Sequence, residues 1–190
     1  MEAGSWIVPA SSHRFSLLVS PPPVDQARLV EVFMASRGQA EPDPLQDLGL
    51  QVVTGIWGGP VLINLEVLSE APTLLTHDHW EDVEETSVKL GEGTLTLGND
   101  EVRSIMIGSL ESQDHHRYRF RIYSSGRDIN RDQIVEEPSE RYLLQCWPEP
   151  LGRPPLVLRS GSSYGGGNYE PRSLTAKMLH DPQVVEGLDT

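Results

Sequence analysis

The stretch THDHWEDVEETSVKLGEG holds the residues of this chain best spaced for chemistry: His77, His79 and Glu84, followed by Gly91, read H-x-H-x4-E-x6-G. Residues two apart on a strand share a face. Two imidazoles and a carboxylate placed that way would leave open positions on an Fe, Mn or Ni centre, with His116 as the candidate fourth ligand. The same stretch supports a second chemistry. Asp78, Glu81, Asp82, Glu84 and Glu85 crowd around Trp80, and carboxylates set about an aromatic anchor make a docking face for a cationic protein partner. The first reading calls for one transition metal ion and the second for no cofactor.

The elements that must carry these residues are strands. In HRYRFRIYSS, Tyr118, Phe120 and Ile122 alternate with Arg117, Arg119 and Arg121, so one face of the strand is core and the other cationic. Three arginines in a row on one face need acidic partners, inside the molecule or outside it. If inside, the carboxylates of 81–85 are the candidates, since opposite charges across neighbouring strands attract. Trp80 likewise has two readings, an interface anchor or a residue packed on the sheet end. The segment ERYLLQCWPEP is a second strand, with Cys146 on the face of Tyr142 and Leu144. Ser12 to Ser20 reads as a strand stopped by Pro21, Pro22 and Pro23, which cannot donate ladder hydrogen bonds. Gly58-Gly59 reads as a hairpin turn between two more strands, and further strands are expected at 82–90, 93–97, 101–107 and 155–160. Ala27, Leu29, Val30, Val32, Phe33 and Met34 fit helical spacing, with Asp25 near the start, which predicts one short helix near residues 24–36. About nine short strands at close spacing predict an all-β fold, an antiparallel β-sandwich. Residues 1–160 form its single domain. Residues 161–190 open on GSSYGGGNYEPRS, too poor in apolar groups to offset ordering entropy, and read as a glycine-rich flexible tail. Ser173 to His180 could add a helical turn there.

Composition narrows the function classes. Acidic residues outnumber basic ones 28 to 15 over 190 residues, a net charge of -13. A phosphate backbone would be repelled, so direct nucleic-acid binding is not expected; a basic protein partner would be attracted and steered, or the acidity serves only the solubility of an accessory structural domain. The single cysteine, Cys146, allows no internal disulfide, and no cysteine-enzyme signature surrounds it, so a buried inert thiol is expected. No run approaches the roughly 20 apolar residues of a membrane span. No basic-then-apolar leader opens the chain. These features predict a cytoplasmic protein with no membrane partner. No P-loop, nucleophile elbow or dinucleotide fingerprint occurs. Ser124-Ser125-Gly126 and Arg127-Asp128 read as turn chemistry.

Two families share parts of these patterns. The spacing of His77, His79, Glu84 and Gly91, with GEGTLTLG after it, resembles the first motif of the cupins, which implies a metal-dependent enzyme in a β-barrel. Ala71 stands where that motif opens on glycine, and the second cupin motif does not follow. Taken together, HWEDVEETSVKLGEGTLTL, YRFRIYSSGRD and ERYLLQCWPEP resemble a group of uncharacterised proteins common in actinobacteria. At the level of topology they also resemble competence protein J, an inhibitor that silences a DNA-entry nuclease. That resemblance implies a non-enzymatic β protein of inhibitor or immunity type, whose carboxylates meet a cationic partner where phosphates would lie.

Overall fold

A computed structural model describes residues 1, 3–20, 28–32, 47–75, 79–99, 103–110, 116–149 and 151–163. Eleven strands follow one another: β1 (Gly4–Ser11), β2 (Arg14–Ser20), β3 (Arg28–Val32), β4 (Asp47–Val53), β5 (Gly58–Val67), β6 (Asp82–Leu90), β7 (Gly93–Asn99), β8 (Arg103–Leu110), β9 (His116–Ser125), β10 (Arg141–Pro148) and β11 (Leu156–Ser160). They form one sheet in the order β3-β4-β6-β9-β10-β5-β1-β2-β7-β8, with β11 on the side of β6.

The all-β expectation holds, and three details of it need correction. The sheet is mixed, because β10 runs parallel to β5 and β4 runs parallel to both β3 and β6. Residues 28–32 of the expected helix are strand β3, and no helix occurs among the described residues. The run Leu29-Val30-Glu31-Val32 is too short for periodicity to separate helix from strand, and hydrogen bonds from β4 decide it. Gly58-Gly59 does not form the hairpin turn. Both glycines lie in β5 opposite Ser11 and Ala10, and the chain reverses at 54–57. Gly59 has φ of 130°, and a Cβ there would stand 2.3 Å from the Val135 carbonyl, so glycine serves a close backbone approach.

The sheet doubles back, since β2 pairs with β4 as well as with β7. It is not closed: β1 meets β2 only at Ser11↔Arg14, and β4 meets β6 only at Asp47↔Leu90. Within the fold lies a core drawn from nine strands, including Val8, Phe15, Leu17, Leu50, Ile63, Val88, Leu95, Ile107, Phe120, Ile122 and Tyr142. Phe15 and Tyr142 meet edge to face at 5.0 Å. A smaller cluster of Trp80, Val83, Tyr123 and Leu143, with Leu75 against it, covers the opposite face of β6, β9 and β10.

Candidate functional site

Strand register settles where each carboxylate of the 81–85 segment goes. β6 pairs with β9 at Asp82↔Ser124, Glu84↔Ile122 and Thr86↔Phe120, and between these at Val83↔Tyr123, Glu85↔Arg121 and Ser87↔Arg119. Asp82 and Glu84 therefore share the core-facing side, and Glu85 the opposite one. One strand cannot show all three on a single face. On the outer side Glu85 is buried and accepts from Arg119 Nε at 3.1 Å and Arg121 Nε at 2.7 Å. Arg119, 1% exposed, also donates to Ser87 and to the carbonyls of Arg153 and Pro154. Arg121 donates to the Pro72 carbonyl and lies 5.2 Å over the Trp147 ring. Arg119 and Arg121 are thus internal, and Arg117 is partly exposed. Trp80 packs beside Tyr123, its ring 5.6 Å away, and is buried. Glu81 and Glu84 remain partly exposed, and the Gly126 amide donates to Glu81 at 2.9 Å. Asp78 lies outside the described residues.

A second buried set occupies the core-facing side at the end of β6. Arg127, 1% exposed, donates to Asp82 at 2.8 Å. Asp82 also accepts from the Gly161 and Ser162 amides and the Ser162 hydroxyl, so the first residues of the expected tail are clipped to the sheet. Glu140, fully buried, accepts from the Gly55 amide at 3.3 Å, the Ile56 amide at 2.6 Å and the Tyr142 hydroxyl. Burial alone would raise Asp82, but hydrogen bonds from Ser162 and Arg127 and the Arg127 charge outweigh it, and its carboxyl sits below the ordinary range. Glu149 sits low in the same way: burial raises it, and bonds from Ser87 and Arg153 with the charges of Arg119 and Arg153 lower it further. For Glu140 burial outweighs its donors and the Arg127 charge, and its carboxyl is raised.

These directions set the acid limb of stability. Asp82 and Glu149 contribute fully above their ordinary values of 3.8 and 4.5, and their contribution is lost as pH falls through the lower folded values. Glu140 acts in the opposite sense: its contribution is full below 4.5 and lost as pH rises through its raised folded value. Urea midpoints measured from about pH 5 to about pH 2 should therefore fall, and fall less steeply in Asp82→Asn. An equal slope in the variant would contradict this assignment.

The metal-ligand candidates do not all converge. His116 pairs with Leu90 while Glu84 pairs with Ile122, six residues along the ladder, so about 20 Å of strand separates them. His116 therefore cannot join Glu84 at one ion, because the reversal between β6 and β9 falls near His116 and carries Glu84 to the far end. His79 is exposed, with its ring 5.0 Å from Trp80, and His77 lies outside the described residues. Among the described residues no group of three or more His, Cys, Asp or Glu side chains is placed to hold a metal ion.

Cys146 is fully buried in the main core, and burial pushes its thiol up to about 12. Iodoacetamide should leave the folded protein unlabelled and add one adduct by mass after denaturation; rapid labelling of folded protein would refute the buried placement.

A loop-built end of the molecule went unread in the sequence. It joins the turn at Ser12-His13, the turn at 54–57 and the connection 126–140. Four backbone bonds lace them: Trp57 N to Gln133 O, Asp132 N to Gly55 O, His13 N to Trp57 O and Thr54 N to His13 O. A Cβ on Gly55 would stand 1.8 Å from the Arg127 carbonyl, so only glycine lets these loops lie so close. Ser12, His13 and Asp132 adopt φ of 50°, 61° and 60°. Such non-glycine residues persist where surroundings over-determine them, and they gather at functional sites. On this rigid base Trp57 is 41% exposed, Ile129 68% and Ile134 77%. Asp128, Asp132, Glu136 and Glu137 surround them, also exposed. The available signal was the pair of isoleucines in a polar connection between strong strands.

The fold and these sites define an all-β protein with buried charge clusters on both faces of its central strands. No protein-family model and no curated protein matches the chain. A solved structure described as "Crocagin biosynthetic gene J" is similar over 78% of this chain and 97% of that one, at 16% identity and a TM-score of 0.42. A likeness of that size carries no argument about role.

Proposed function

We propose that this chain is a non-enzymatic, acidic protein-binding module of inhibitor or immunity type, acting in the cytoplasm on a cationic, nuclease-like protein. In this reading the doubled-over sheet works as the two layers of a sandwich, a rigid support for a binding face. The observation that carries it is a matter of charge. Among the described residues three buried arginines, Arg119, Arg121 and Arg127, sit among four buried carboxylates, Asp82, Glu85, Glu140 and Glu149. These buried groups sum to -1, so -12 of the net charge of -13 is borne by the rest of the molecule. Opposite charge steers and orients a partner whose own surface is built to grip phosphates. Glu81 and Glu84, partly exposed, belong to that acidic exterior.

The test is capture on the immobilised full-length chain from lysate of its native host, followed by identification, purification and rebinding of what is retained. A basic protein that rebinds at low salt and weakens as ionic strength rises is expected. Retention of no basic protein at low salt would overturn the reading.

A further inference from the structure

Resting on that reading, we infer that the partner docks on the loop-built end of the molecule, with Trp57, Ile129 and Ile134 as anchors in apolar recesses of a cationic protein surface. Asn130 and Gln133 close a tight turn, Gln133 N to Asn130 O at 3.1 Å, and Ile129 and Ile134 flank it. Trp57 adjoins this turn through the hydrogen bond its amide donates to Gln133 O at 2.9 Å, and Gly58, the next residue, bridges to Ile134. The three apolar side chains therefore project from neighbouring points. Val135, next in sequence, packs into the core and fixes which way Ile134 faces.

Charge selects the occupant. Asp128, Asp132, Glu136 and Glu137 are exposed in the same connection against one exposed arginine, Arg131, while Arg127 is buried on Asp82. A nucleic-acid backbone or an anionic lipid surface would be repelled. A protein presenting lysine or arginine around apolar recesses is complementary, with anchors at the centre and charges at the rim. The lacing to Gly55 and Gln133 means that little order is lost when the surfaces meet.

Anchors govern dissociation, and rim charges govern association and its salt dependence. The probe is the basic protein recovered by capture, purified and used with the full-length chain. Ile129→Asp and Ile134→Asp lie at exposed positions, and unchanged urea midpoints would confirm that the fold survives. Each is expected to speed dissociation by about 30-fold or more. Asp132→Asn with Glu136→Gln and Glu137→Gln is expected to slow association several-fold at low salt and flatten its salt dependence. Wild-type kinetics in the isoleucine variants, with binding lost instead in Glu81→Gln and Glu84→Gln, would overturn this location and leave the general reading standing. Failure of the wild-type chain to bind any basic protein would remove both.

Discussion

Glu85→Ala is expected to cost about 3–5 kcal/mol of folding stability, because it leaves two arginine side chains buried without their carboxylate. Arg119 and Arg121 cannot turn to water from where they lie. Both are nearly inaccessible, and their remaining donors are held by the Arg153, Pro154 and Pro72 carbonyls. For a chain of this length the loss corresponds to a fall in Tm of roughly 6–20 °C. Glu85→Gln should lie between, since one amide oxygen replaces two carboxylate oxygens. Removing all three charges together, as Glu85→Met with Arg119→Met and Arg121→Met, would spare the isolated charges but strand those carbonyls, so it should recover only part of the loss. Thermal unfolding of the three variants checks the ranking. Glu85→Ala unfolding within 2 °C of wild type, a shift matching less than about 1 kcal/mol, would show that the pair does not support the fold.

Glu140→Ala is expected to have an effect of similar size by a different route. Its carboxylate accepts from the Gly55 and Ile56 amides and the Tyr142 hydroxyl, and its charge faces Arg127. Each buried donor left unmet costs about 1–3 kcal/mol. The damage should also be local. Amide exchange at Gly55 and Ile56 should quicken together with that at Asp132, whose amide bonds the Gly55 carbonyl, while core amides of β5 and β10 follow only global unfolding. Uniform loss of protection would place Glu140 in the general core instead of at the loop clamp.

Much of this arrangement was legible beforehand in particular residues. The alternation from Arg117 to Ile122 correctly separated core from cationic face, and Cys146 fell on the core side with Tyr142 and Leu144. Period two already divides Asp82 and Glu84 from Glu85, so the carboxylate segment cannot present a single face. Over residues 28–32 the expected helix gave way to β3, because so short a run takes its structure from the strand it meets. The loop-built end left little trace, since its members come from three separated turns.

The amino-acid sequence by itself determined that strands dominate, which side of β9 enters the core, that the thiol is buried, and that the molecule carries an excess of negative charge. Those properties follow from local alternation and composition. Only the tertiary structure decided that Arg119 and Arg121 close on Glu85, that Asp82 takes Arg127, that His116 stands far from Glu84, and that Trp57, Ile129 and Ile134 rise together from one laced end. Strand register sets each of these, and register depends on which distant strand supplies the hydrogen bonds, a choice that no short stretch of sequence contains.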